Sequence, residues 1–235
     1  MRLLLISNST NAGEEYLDYP KYQIKEFLGE RPVNALFIPY AAVTFSFDDY
    51  EEKVNSRFRE VGHTVKSVHH FPDPLDAIAN ADAIVVGGGN SWQLIHMMQE
   101  KGMLEAIAHR VRDGIPYIGW SAGSNVACPT IRTTNDMPIT EPKSFNAFGL
   151  IPFQINPHYL DANPEGHAGE TREARIEEFV EVNPDLYVMG LREGTMLWID
   201  EEHIRLIGPR KARIFKKSRE PQELGPEDDF SFLFR

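Results

Sequence analysis

An α/β fold with a parallel sheet and helices on both of its faces is what this sequence predicts, on three observations. Apolar runs of strand length alternate with helix-period segments through the first half of the chain, which is the signature of strand–helix–strand units. The runs are near-continuous Leu, Ile and Val, as in strands buried on both faces, and they end in polar or glycine-rich loops. From about residue 186 the pattern changes to short strands joined by tight turns, which predicts a short antiparallel C-terminal extension. One domain over 1–235 is expected from the length of 235 residues.

The elements follow in order. Residues 3–7 (LLLIS) read as a buried strand that enters a polar loop, and 22–28 carry helical spacing. A second strand at 34–39 is stopped by proline. Residues 48–61 predict a helix with Asp48 as cap and acids in its first turn. A weaker strand covers 63–69 and a short helix 74–80. The strand at 83–86 (AIVV) runs into glycines. Helices at 91–100 and 103–112 break at Gly102, and a strand at 115–119 precedes a helix that follows Ser121. Residues 171–182 are amphipathic; 186–190, 196–200, 203–207 and 212–215 read as the late strands, and 217–229 as a polar surface loop.

Composition narrows the function. The chain is 42% hydrophobic and carries a net charge of -11, so it has material for a core but repels phosphate backbones and anionic lipid; nucleic acid and membrane surfaces are excluded as partners. The single cysteine, Cys128, allows no internal disulfide and fits a reducing compartment. The N-terminal residues lack the apolar stretch and cleavage site of a signal peptide, and no run is long enough for a membrane span. A soluble, cytoplasmic protein is the expectation.

Gly119-Trp120-Ser121-Ala122-Gly123 matches G-x-S-x-G between a strand and a helix. A nucleophile on that turn needs small neighbours, because the backbone bends sharply beneath it, and the Ala122 N–H is available to an oxyanion. Glycine-flanked serines also serve as plain helix caps. Gly87-Gly88-Gly89 follows a strand in the same way. It is neither a dinucleotide loop, since Trp92 stands where the third glycine belongs, nor a phosphate loop, since no Gly-Lys-Ser/Thr is present. It can supply N–H donors beside Ser121, or simply pack closely.

A serine needs a base and the base a carboxylate. His158 (QINPH) lies in a proline-fixed turn after an apolar stretch, with His167 second; His69 and His70 sit near a strand end, and His96 and His109 on helices. Asp136 and Glu193 are both loop acids after short apolar segments. No H-E-x-x-H or C-x-x-C appears, and nothing in the motifs suggests a metal site.

Taken together, LLLISNST, FIPYA, VVGGGNSWQL, YIGWSAGSNVACPTIRTTNDMPI, QINPH and PEGHAGETREARI resemble the S51 family of serine peptidases over nearly the whole chain. The resemblance implies a flavodoxin-like fold similar to class I glutamine amidotransferases, with Ser121 as nucleophile and His158 as general base. Either Asp136 or Glu193 would orient His158, and Gly88 or Gly89 would join Ala122 in the oxyanion hole. It also implies hydrolysis of Asp-X dipeptides with a free amino terminus, with no cofactor or metal expected. Arg172 matches the family's pattern and would grip the aspartyl carboxylate, with Arg132 second. The chain departs from the family at Ser124, where alanine is commoner, and at Arg192, where proline is familiar; Arg192 is expected to alter its loop and add positive charge near the site. Competing readings are a cyanophycinase-like hydrolase of β-aspartyl-arginine and a non-catalytic small-molecule binding protein on the same fold.

Overall fold

Leu3, Leu4, Leu5 and Ile6 have no exposed surface, and burying each of them stabilises the fold by about 1.5–3 kcal/mol. They belong to the central part of a seven-stranded sheet in a computed structural model that describes every residue except 164, 165 and 167. In chain order the elements begin with β1 (Arg2–Ile6), α1 (Lys21–Leu28), β2 (Asn34–Ile38), α2 (Phe47–Glu60), β3 (Thr64–Ser67), α3 (Pro74–Ala79), β4 (Ile84–Val86), α4 (Ser91–Glu100) and α5 (Met103–Arg112). They continue with β5 (Tyr117–Trp120), α6 (Ala122–Asn125), β6 (Gln154–Tyr159), α7 (Arg172–Val182), β7 (Val188–Arg192), β8 (Met196–Asp200), β9 (His203–Ile207), β10 (Ala212–Phe215) and β11 (Gln222–Leu224).

The large sheet has the order β3-β2-β4-β5-β1-β8-β9. Its first five strands are mutually parallel, while β8 runs antiparallel to β1 and β9 antiparallel to β8. Side chains alternate across the pleat. Leu3 and Leu5 therefore join one core with α3, α4 and α5, and Leu4 and Ile6 join the opposite core with α1 and α2. This two-sided burial explains why the parallel strands lack polar alternation. Among the described residues, no helix is long and apolar enough to cross a membrane.

The late strands divide in a way the sequence pattern did not predict. Only β8 and β9 extend the large sheet. A second sheet, β11-β10-β7-β6, pairs β6 with β7 in parallel and β7, β10 and β11 antiparallel. Ile155, Met189, Leu191 and Ile214 of this sheet pack into the core shared with α3–α5. Its other face meets Ile176 and Val180 of α7.

Three local expectations change. Ser46, not Asp48, caps α2, accepting from the Asp49 N–H at 3.0 Å. The strand expected over 63–69 ends at Ser67, and Val68–His70 forms a 3₁₀ turn whose histidines meet carboxylates of α2. The loop expected over 217–229 contains β11, held by backbone pairing to β10.

Candidate active site

Parallel strands bring their carboxyl ends to one edge, and loops from several strands meet there. Ser121 follows fully buried β5 with φ 53° and ψ -113°, outside the helical region its successors occupy. A non-glycine residue at such a φ costs on the order of 1–3 kcal/mol and persists only when its surroundings hold it. Here the Ser121 N–H donates to the Ile6 carbonyl at 3.0 Å. A Cβ on Gly119 would lie 2.4 Å from the Gly123 carbonyl oxygen, and one on Gly123 would lie 2.2 Å from that of Val86. Both glycines of the motif are thus required by close backbone approach.

The glycine loop lies against this turn: a Cβ on Gly88 would fall 3.0 Å from the Ser121 Cβ. Among the described residues, the N–H groups of Gly88, Gly89 and Ala122 find no acceptor. An anion formed at Ser121 would meet unspent donors.

His158 lies on β6, where the register with β7 shifts between Pro157 and Tyr159. Its φ is 53°. The bulge turns the imidazole so that Nε2 is 3.0 Å from Ser121 Oγ and Nδ1 is 2.7 Å from Glu193 Oε1. A carboxylate only accepts, so Nδ1 carries the proton and the Nε2 lone pair faces the serine hydroxyl. That arrangement suits removal of a proton from Ser121 Oγ.

Asp136 is brought elsewhere. Its Oδ2 accepts from the Ser91 N–H and Oγ, both at 2.7 Å, and from Thr134 Oγ1 at 3.0 Å. It secures the start of α4 and makes no hydrogen bond to His158.

The sequence model described as peptidase family S51 matches residues 3–207. The chain belongs to that family. Curated relatives include a Peptidase E from a Nostoc species, 53% identical over 99% of this chain and 96% of that protein. Another is a Peptidase E from Shigella flexneri serotype 5b, 48% identical over 96% of this chain and 99% of its own length. Among solved structures, a peptidase from an acI-B1 actinobacterium superposes with TM-score 0.70 at 20% identity, covering 98% of this chain and 96% of its own. A putative peptidase E protein from Listeria monocytogenes gives 0.63 at 20% identity over 88% of this chain and 98% of its own. These two likenesses bear on the fold alone.

In this S51 serine peptidase several residues that the motifs did not single out hold the site. Ser7 Oγ accepts from the His158 N–H at 3.0 Å and donates to the Leu191 carbonyl at 2.7 Å, tying β6 and β7 to the end of β1. Asn8 Oδ1 accepts from the Gly194 N–H at 2.9 Å, fixing the turn that carries Glu193. The only trace of these roles in the sequence is the polar Ser7-Asn8 pair placed straight after a buried strand.

Arg172 opens α7, half-buried. The flanking acids are engaged elsewhere, Glu170 with Arg175 and Glu173 with Arg213, and among the described residues Arg172 makes no salt bridge. Burial and the nearby Arg175 pull its guanidinium below its ordinary value, against the opposing pull of Asp136. An incoming anion would relieve this cost. Arg132 is exposed, lies over the Phe179 ring at 5.4 Å and lines a cavity of about 790 Å³ with Trp92, Ile139 and Phe145.

The two departures are also explained. Ser124 Oγ is buried 2.7 Å from the Ile6 carbonyl oxygen and 2.8 Å from that of Gly119, so it ties α6 to the strands beneath Ser121. Arg192 does not add free charge near the site. Its guanidinium is held by Asp161, Glu223 and the Lys211 carbonyl. Of the remaining histidines, His96 meets the Glu141 carbonyl and His109 pairs with Asp113; His167 lies outside the described residues.

Proposed function

We propose that this peptidase hydrolyses dipeptides that begin with aspartate, through an acyl-enzyme on Ser121. The observation that carries the reading is the single imidazole of His158, with Ser121 Oγ 3.0 Å from one nitrogen and Glu193 2.7 Å from the other. It sits in a chain about half identical to proteins named Peptidase E. His158 takes the serine proton as Oγ attacks the scissile carbonyl, Glu193 stabilises the imidazolium, and the N–H groups of Ala122 and Gly88 or Gly89 receive the oxyanion. His158 then protonates the leaving amine, and water releases the acyl group. Arg172 takes the aspartyl side chain of the substrate.

The same reading makes residues 1–235 one peptidase domain of the class I glutamine amidotransferase-like, flavodoxin-like type, acting in the cytoplasm on small peptides. Five parallel strands that carry a nucleophile at a strand-to-helix turn support it.

The test is a panel of Asp-Leu, Glu-Leu, Asn-Leu, Ala-Leu, acetyl-Asp-Leu and β-Asp-Arg. Asp-Leu is expected to be cut far faster than the rest. Ser121→Ala should lower kcat/KM by at least about 10³-fold with the fold intact. Arg172→Met should cost Asp-Leu about 10²-fold while changing Ala-Leu little. Full activity in Ser121→Ala, or preference for β-Asp-Arg, overturns the proposal.

A further inference from the structure

At the far edge of the large sheet, the first turn of α2 and the 3₁₀ turn after β3 bring four ligand-type side chains together. Asp48 Oδ1 lies 2.9 Å from His69 Nε2 and 3.4 Å from His70 Nε2, and Glu51 Oε2 lies 2.5 Å from His70 Nε2. One donor atom from each of the four falls within 4.8 Å of the others, the one group of this kind among the described residues. Four ligands at about 2.0–2.2 Å around a tetrahedral ion stand about 3.3–3.6 Å apart, so the spacings bracket what such an ion requires.

The surroundings orient these donors. Ser67 is fully buried, and its hydroxyl lies 2.6 Å from His69 Nδ1. A partner on Nδ1 of this kind fixes the ring and leaves Nε2 to a metal. The two imidazoles lie close, with centroids 3.9 Å apart and planes tilted by 38°, so both rings face the same carboxylates. The Glu51 side chain is only 16% exposed.

We propose that Asp48, Glu51, His69 and His70 form a divalent transition-metal site, with Zn²⁺ the ion suited to two imidazoles and two carboxylates. The ion replaces the protons held between the rings and the acids. It clamps the first turn of α2 to the end of β3, away from Ser121. Tyr50, on the same turn, donates to the Gly88 carbonyl at 2.9 Å, so the clamp also bears on the glycine loop. The site does not depend on the peptidase reading.

The experiment titrates ZnCl₂ into the full, chelator-stripped chain by calorimetry in a non-coordinating buffer, alongside thermal unfolding. The wild type and Ser121→Ala should both bind one Zn²⁺ per chain with micromolar affinity and gain Tm. His69→Ala/His70→Ala should lose that binding, and Asp48→Asn should weaken it at least about 10-fold. Wild-type protein that takes up no Zn²⁺ at high micromolar concentration overturns the site. Unchanged affinity in the double variant does the same. The Asp48 side chain is 75% exposed, so Asp48→Asn carries the test if the double variant fails to fold, and unchanged affinity there is equally fatal.

Discussion

The hydroxyl of Tyr50 donates to the carbonyl of Gly88 at 2.9 Å. Tyr50 is buried, and that burial pushes its phenol up to about 12, so it remains a donor at any working pH. The contact exists because Gly87 leaves room: a Cβ there would lie 2.5 Å from the tyrosine oxygen. One helix residue thereby orients the peptide that faces Ser121.

Tyr50→Phe keeps the ring in the core and removes this donor, together with the acceptor that the Tyr16 hydroxyl meets at 3.1 Å. The glycine loop should loosen, and kcat for Asp-Leu should fall about tenfold with KM within about twofold. Steady-state kinetics on the purified variant check this. An unchanged kcat means that Gly88 is held without Tyr50.

The two acids should separate cleanly. Glu193→Gln leaves an amide that no longer enforces the Nδ1–H tautomer, and kcat should drop by about 10²–10⁴-fold with little change in Tm. Asp136→Asn should lower stability by about 1 kcal/mol through its weaker hold on Ser91, with less than tenfold effect on kcat. Comparing kinetics and urea midpoints for both variants decides it. The opposite pattern would assign the acid role to Asp136.

Arg192 predicts a pH-dependent stability. Its hydrogen bonds hold the carboxyls of Asp161 and Glu223 below their ordinary values. A carboxyl depressed in the folded state stabilises above its unfolded pKa of about 4, and the benefit is lost as pH falls through the lower folded value. Arg192→Met should therefore cost about 1–2 kcal/mol at pH 7.5, kept modest because both carboxylates are partly solvated. The gap to wild type should narrow steadily below about pH 4. Urea midpoints at pH 7.5, 5 and 3.5 measure it, and a constant gap would contradict the account.

Local information carried much of the architecture. Apolar runs at β1, β2, β4 and β5 and the helical periods between them depend on neighbours within a few residues, so they can be read directly. The bend at Ser121 is local too, since β5 ends at Trp120 and α6 starts at Ala122.

The sequence by itself therefore determined a helix-covered parallel sheet and an S51-type serine at a strand-to-helix turn. Only the tertiary structure decided which acid meets His158. Glu193 is 35 residues away from it and arrives because β6 and β7 pair in parallel with a shifted register. Asp136 is only 22 positions from His158, yet its loop folds onto α4. The split of the late strands between two sheets, the hold of Ser7 on His158 across 151 residues and the meeting of His69 and His70 with α2 have the same origin. Strand register and packing between distant segments create these contacts, and no spacing along the chain encodes them.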